Sequence, residues 1–281
     1  MRAFDPRLTP ARGDLAARAL EGKVAAPRYA EGRTYEVIEP QAPLCNEPAP
    51  DAALATQALK GEGVTIYDIN GEGWAWGQLA ADGYVGWLPA NALTSPGPAL
   101  THKVAALRTF VFAVPSIKTP PLEALPFGAR LAIARFEEPF AITTTGGYVP
   151  AVHIATIETY EPDFVAVAER FAGVPYLWGG KTMLGIDCSG LVQIALNACG
   201  IACPRDSDMQ EEALGEPADI SGLRRGDLIF WKGHVGIACG DASFIHANAF
   251  HMAVAIEPVA DAIARIRDAG SEITSVRRLT P

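Results

Sequence analysis

From Arg33 to about Ile157 the chain keeps no periodicity for long: short alternating runs are cut every few residues by Gly, Pro, Asp or Asn. From about Glu158 the pattern turns helical. That switch limits the fold more than any other feature of the sequence. "TYEVIE" (34–39), "GVTIYDI" (63–69), "WAWGQLA" (74–80) and "YVGWLPA" (84–90) read as strands of a small barrel. A weak internal repeat argues for two such barrels. Gly83–Tyr84–Val85 closes one repeat unit, and Gly147–Tyr148–Val149 closes another that starts at Gly128. "TSPGPALTHK" (94–103) reads as the linker between them, and residues 1–30 as a polar lead-in arm with a short helix near Asp14–Leu20.

In the last part, "EPDFVAVAERFAG" puts Phe164, Val165, Ala168 and Phe171 on one helical face, with Pro162 to start the helix and Gly173 to stop it. A second helix is expected over Ser189–Cys199, with Leu191, Val192, Ala195 and Leu196 inward and Gly200 at its end. Short strand-like runs follow at 227–232, 234–240, 243–249 and 273–279. Helices first and antiparallel strands afterwards predict an α+β domain. The expected division is an arm (1–30), a first all-β barrel (31–96), a second (97–157) and an α+β domain (158–281).

A net charge of −9 argues against nucleic acid or an anionic membrane surface as the main partner. The five cysteines are an odd number in a chain of 281 residues, too long to need disulfide staples, which fits a reducing compartment. Asp5, Arg7, Arg12, Asp14 and Arg18 break up any apolar leader. No run approaches membrane-spanning length. The expectation is a soluble cytoplasmic protein.

Cys188 lies between Asp187 and Ser189–Gly190, where a glycine-broken loop becomes an apolar helix. A thiol is a poor nucleophile at neutral pH, and the positive end of a helix lowers its pKa. Gly190 in a first turn implies a close approach, and an imidazole on a neighbouring strand would fit. Of five histidines, His234 opens "HVGIACG", with Gly236 leaving its face uncrowded, and His246 lies in "SFIHANA". Two paired antiparallel strands would set these imidazoles side by side. Cys188 as nucleophile, His234 as base and His246 as orienter satisfy a triad. Taken singly, such a cysteine is usually a buried small hydrophobe; together, with the glycines around both, these residues point to catalysis. Cys199, Cys203, Cys239 and Cys45 are expected to pack, since their spacing suits no zinc site. No metal or organic cofactor is implied.

"PYLWGG", "DCSGLVQ", "PRDSDMQ", "GDLIFW", "HVGI" and "FIHAN", in this order over residues 162–279, resemble the NlpC/P60 family of papain-like cysteine peptidases. The resemblance implies hydrolysis of peptidoglycan stem peptides between γ-D-glutamate and a diamino acid, with Cys188, His234 and His246 in the roles above. It assigns Asp187, Ser189, Tyr176 and Ser207 to the pocket for the D-glutamyl part and the free amine, with Arg205 a further candidate at the "PR" step. The barrels resemble bacterial SH3-like modules. In three-domain members these help form the pocket, which implicates Tyr84 of "DGYVGW" and an acidic loop residue, Glu47. Trp178 and Trp87 are expected to pack. The implied partner is a murein peptide with a free N-terminal L-Ala, the protein a monomer, and its place the recycling of imported wall peptides. Two alternatives keep part of this: an amidase or acyltransferase on the same core, or a non-catalytic protein binding wall fragments.

Overall fold

The computed structural model describes residues 4–240 and 242–279, and the chain divides into two units, Met1–Thr159 and Tyr160–Pro281. In the first, a seven-stranded sheet brings Val37, Leu44, Val64, Ile66, Leu79 and Leu88 into one core. The strand order is Leu93–Thr94, Arg33–Val37, Gly63–Ile69, Trp74–Leu79, Val85–Pro89, Gln41–Cys45, Leu54–Leu59, with every pairing antiparallel. A second barrel follows, whose strands form two sheets around Val104, Val111, Leu125, Leu131 and Val149.

The internal repeat has a structural counterpart. In each barrel a strand ends on proline, turns through one 3₁₀ turn and re-enters as a strand: Val85–Pro89 to Ala90–Ala92, and Tyr148–Pro150 to Ala151–His153. Proline suits that corner because its φ is already near the turn value and its missing N–H leaves nothing unpaired.

The arm departs from expectation. No helix forms at Asp14–Leu20; Leu15–Ala17 is a buried strand between Ala11–Arg12 and Tyr29–Ala30, followed by one 3₁₀ turn at Arg18–Leu20. The Arg12 guanidinium lies over both Trp76 and Trp87, 4.7 and 4.6 Å from the ring centroids. It also pairs with Asp14 and Asp68. A main-chain bond from the Val85 N–H to the Arg7 carbonyl and one from the Gln78 side-chain amide to the Leu8 carbonyl finish the attachment. The arm is therefore part of the barrel.

Among its described residues the second unit has four α-helices, α1 (Phe164–Glu169), α2 (Cys188–Ala198), α3 (Ser207–Ala213) and α4 (Val259–Asp268). Its main sheet is antiparallel, built from β1 (Leu228–Trp231), β2 (His234–Gly240), β3 (Ser243–Asn248), β4 (Ala253–Pro258) and β5 (Ile273–Arg278). The order is β5-β1-β2-β3-β4, with the short strand Glu216–Pro217 beside β5. Helix α2 is buried on nearly all sides and packs along β2 and β3. Helix α4 sends Val259 and Ala262 against Ile229, Trp231, Phe244 and Val276. Sequence reading gave neither β4 nor α4.

Replacing Arg12 with Ala removes two cation–π contacts, each worth about 0.5–2 kcal/mol, and leaves Asp68 with a weaker partner. The expected result is a red shift of tryptophan emission and a lower urea midpoint for the first unit.

Candidate active site

Helix α2 begins on Cys188 because Asp187 caps it: Oδ1 accepts the Gly190 N–H at 2.7 Å, as a capping carboxylate does for an unpaired first-turn amide. The same carboxylate accepts the Gly179 N–H at 2.8 Å and two bonds from Arg205, at 3.0 and 2.7 Å. Arg205 also donates to the Ser189 hydroxyl at 2.9 Å. All three side chains are buried. A Cβ on Gly190 would lie 2.4 Å from the Gly180 carbonyl oxygen and 2.9 Å from Asp187 Oδ1. The close approach that this glycine permits is therefore that of the loop and the cap, not of an imidazole.

This knot gives three of the expected pocket residues partners within the protein. Asp187 and Ser189 were expected in the pocket for the D-glutamyl part and the free amine, with Arg205 a further candidate there. In the structure Asp187 and Arg205 satisfy each other, and the Ser189 hydroxyl is held between them. They fix the start of α2. Tyr176 and Ser207 differ: their hydroxyls bond to no described residue and remain open to a ligand. Burial, followed by the proximity of Cys188 and Asp187, pushes the Tyr176 phenol up to about 12. Tyr84 and Glu47 both belong to the first barrel. Tyr84 is packed in that barrel's core with Leu88 and Val64, and Glu47 is exposed in the turn after Cys45. Trp178 is exposed.

The amides of Ser189 and of Val235, the residue after His234, are near enough to the Cys188 thiol to favour its thiolate, against the larger effect of burial. The packing of α2 along β2 brings the nucleophile to the start of that strand. Ile237 pairs with Ile245 across β2 and β3, so His246 lies opposite Gly236, diagonal to His234. A side chain at Gly236 would meet the Phe244 ring at 2.5 Å and the His246 Cβ at 3.2 Å. The glycine thus gives the orienting imidazole its space. His234 Nε2 and His246 Nδ1 are 2.8 Å apart, which leaves His234 Nδ1 for the thiol.

Behind His246 lie residues that sequence reading missed. His246 Nε2 is 2.7 Å from Glu257 Oε1 on β4 and 2.9 Å from Asn248 Nδ2. Arg265 on α4 grips both Glu257 oxygens at 2.6 Å and stacks on Phe250. The signal available in sequence was the alternation of "AVAIEP", which places Glu257 on the same face as His246 once it is paired with "SFIHAN". His246, His251 and Glu257 bring ligand atoms within 4.8 Å of one another, a spacing a metal could use. Arg265 already holds both carboxylate oxygens, so a cation there would face a guanidinium.

Burial sets the protonation of the site. It pushes the Cys188 thiol up to about 12, reinforced by Asp187. It pushes His234 down to about 3, with His246 adding to the effect, and His246 down to about 4. Burial therefore favours the neutral thiol and the neutral imidazoles. Neither ion is favoured alone, so the proton moves from sulfur to His234 as a carbonyl arrives to take up the thiolate charge.

A model of the NlpC/P60 family matches residues 173–268, and one described as the bacterial dipeptidyl-peptidase Sh3 domain matches residues 44–93. A γ-D-glutamyl-L-lysine dipeptidyl-peptidase of Bacillus cereus (strain ATCC 10987 / NRS 248) is 29% identical over 250 residues, covering 73% of this chain and 71% of the relative. The protein of that name from Bacillus subtilis (strain 168) is 28% identical over 218 residues, covering 70% of this chain and 73% of the relative. The crystal structure of an NlpC/P60 family protein from Bacillus cereus ATCC 10987 superposes with a TM-score of 0.75 at 24% identity, over 89% of this chain and all of that one. That likeness establishes the fold.

Two outcomes are expected of the site. Protonated His234 cannot accept the thiol proton, and its pKa is depressed, so kcat/KM should hold from neutrality to about pH 5 and fall only as His246 and then His234 protonate. Alkylation of Cys188 by iodoacetamide should keep rising with pH through neutrality; a plateau there would mean a preformed thiolate. Second, Arg205→Met leaves the buried Asp187 carboxylate unpaired, at a cost of about 3–5 kcal/mol. Calorimetry should show a large loss of melting temperature, whereas a residue that only reads substrate would raise KM in a stable protein.

Proposed function

The catalytic part of this chain belongs to the NlpC/P60 family of cysteine peptidases, with a bacterial SH3 domain ahead of it, and from that we propose that it hydrolyses the bond between γ-D-glutamate and a diamino acid in peptidoglycan stem peptides. The observation that carries the reading is Cys188 at the start of α2, near the amide beside His234, with His234 and His246 in contact. The relatives' names supply the bond, and the word dipeptidyl in them supports a substrate with a free N-terminal L-Ala.

Cys188 attacks the γ-glutamyl carbonyl carbon while His234 Nδ1 takes the thiol proton. The oxyanion forms beside the Cys188 N–H, the first amide of α2, which has no intrahelical acceptor. One such donor is worth about 10²–10³ in rate. Collapse transfers the proton from His234 to the leaving amine and leaves a thioester. Water, deprotonated by His234, then releases the acid. Every group in these steps comes from one chain, which supports action as a monomer. The free thiols of all five cysteines support a reducing compartment, and we place the enzyme in the cytoplasm, in the recycling of murein peptides.

Cleavage of L-Ala-γ-D-Glu-meso-diaminopimelate should be compared with that of its N-acylated copy, using wild type and Cys188→Ala. Only the free-amine peptide should be cut, and the variant should lose at least about 10³ in rate. Equal cleavage of both would overturn the recycling reading. No cleavage of either would overturn the endopeptidase reading in favour of an amidase.

A further inference from the structure

His246 Nε2 has two neighbours with opposite demands. The Glu257 oxygen at 2.7 Å requires Nε2 to carry a proton, whereas the Asn248 amide nitrogen at 2.9 Å requires it to be bare. Rotating the amide does not resolve the conflict. Asn248 Oδ1 accepts from the His251 backbone N–H at 2.8 Å, and that bond keeps Nδ2 turned towards His246.

The two proton arrangements have different consequences at Cys188. If Nε2–H of His246 donates to Glu257, His246 Nδ1 is a bare acceptor. His234 Nε2–H then donates to it across 2.8 Å, and His234 Nδ1 carries a lone pair for the thiol proton. If Asn248 donates instead, His246 Nδ1 carries the proton and His234 Nε2 must accept. His234 Nδ1 is then protonated, and the base cannot act. A single proton position on His246 decides whether the triad works.

We infer that Glu257, gripped by Arg265, is a positioning residue that sets the tautomer of both imidazoles in favour of the reactive arrangement. Two facts drive the choice. A charge-assisted hydrogen bond to a carboxylate is roughly twice as strong as a neutral one. The alternative would also turn a bare imidazole nitrogen towards a carboxylate oxygen with no proton between them, in a region where Glu257 is about nine-tenths buried. Burial opposes ionisation of Glu257, but the bonds from Arg265 and His246 outweigh it and hold the carboxyl below the usual carboxylate range. Glu257 takes no proton during turnover. The thiol proton travels from Cys188 to His234 Nδ1 and on to the leaving amine, and Glu257 keeps the far end of the relay fixed.

A cavity of about 270 Å³ lies against this relay, lined by Trp231, His234, His246, Asn248, Phe250 and Arg265 among others. It gives the proposal a chemical test, because a small carboxylate has room to reach Arg265 and His246. The inference rests on the cysteine–histidine reading of the site, so two readouts independent of peptide are used alongside kcat and KM: the alkylation rate of Cys188, and ¹⁵N chemical shifts of labelled histidines.

In wild type, His234 and His246 should both show a protonated Nε2 and a bare Nδ1. In Glu257→Gln, where both competing groups are amides, the shifts should report mixed tautomers. The alkylation rate and kcat should then fall by at least about tenfold, the direction seen when a triad imidazole takes the wrong tautomer, with KM within about twofold. Glu257→Ala should lose more and regain part of its alkylation rate in formate, with no gain for wild type. Wild-type shifts showing a protonated Nδ1 on His246 would overturn the proposal, as would Glu257→Gln with unchanged shifts and alkylation rate. A Glu257→Ala loss that formate does not relieve, in a protein melting at the wild-type temperature, would also overturn it. Failure of wild type to cleave any murein peptide would sink the substrate assignment and leave the tautomer readouts standing.

Discussion

The paired charges of Asp187 and Arg205 hold the start of α2, and the site depends on where that helix starts. Arg205 brings a planar fork to both carboxylate oxygens, so it fixes a direction as well as a distance. The carboxylate passes that direction to the backbone through Gly179 and Gly190. Between a cap that accepts two amides and a loop carbonyl pressed against Gly190, the first turn has little room to slide. The Cys188 amide and sulfur are set by that turn. A hydrophobic pair of equal volume would pack as well but could not aim the helix.

The same dryness governs the chemistry. A helix start favours a thiolate, yet the site is closed enough that burial and the nearby Asp187 charge outweigh the amides of Ser189 and Val235. The imidazoles are pushed the other way by the same burial. Burial thus works against separated charge in the resting site. Charge appears only when a carbonyl carbon is at hand to share it, which couples proton transfer to attack and protects the thiol from adventitious electrophiles.

How much of this the sequence carried depended on the range of the interaction. Cys188 and His234 stood out because each opens a regular element with a glycine within two residues, and His246 because its spacing of twelve from His234 is that of a hairpin. The barrel strands with clean alternation were equally visible. Gln41–Cys45 was not, because Pro43 interrupts it, and Leu15–Ala17 was not, because three buried residues in a row have no period. Helix α4 carries Val259, Ala262, Ile263 and Ile266 on one face, a stripe at i, i+3, i+4 and i+7 that was readable in sequence and was passed over. The pairing of Asp187 with Arg205 left no local trace, since the partners are eighteen residues apart. A resemblance that maps residues one by one onto a pocket cannot show that two of them have already consumed each other's charge.

The residues from His234 to Arg265 follow the meander of the sheet: β2, β3, β4, then α4, each step to the next element along the chain. Phe244 pairs with Glu257 and His246 with Ala255, so His246 and Glu257 share a face as diagonal neighbours. Because side chains alternate strictly along a strand, a slip of one residue between β3 and β4 would turn Glu257 away and leave an apolar neighbour at Nε2. Asn248, carried on β3 itself, would slip with His246 and keep its bond. The register of β4 therefore decides between a carboxylate and an amide as partner of the second imidazole. Helix α4 guards that register, because Val259 and Ala262 dock on Trp231 and Phe244 while Arg265 closes on Glu257. Hydrophobic packing on one turn of α4 and an ion pair on the next hold the same strand, and through it the same proton.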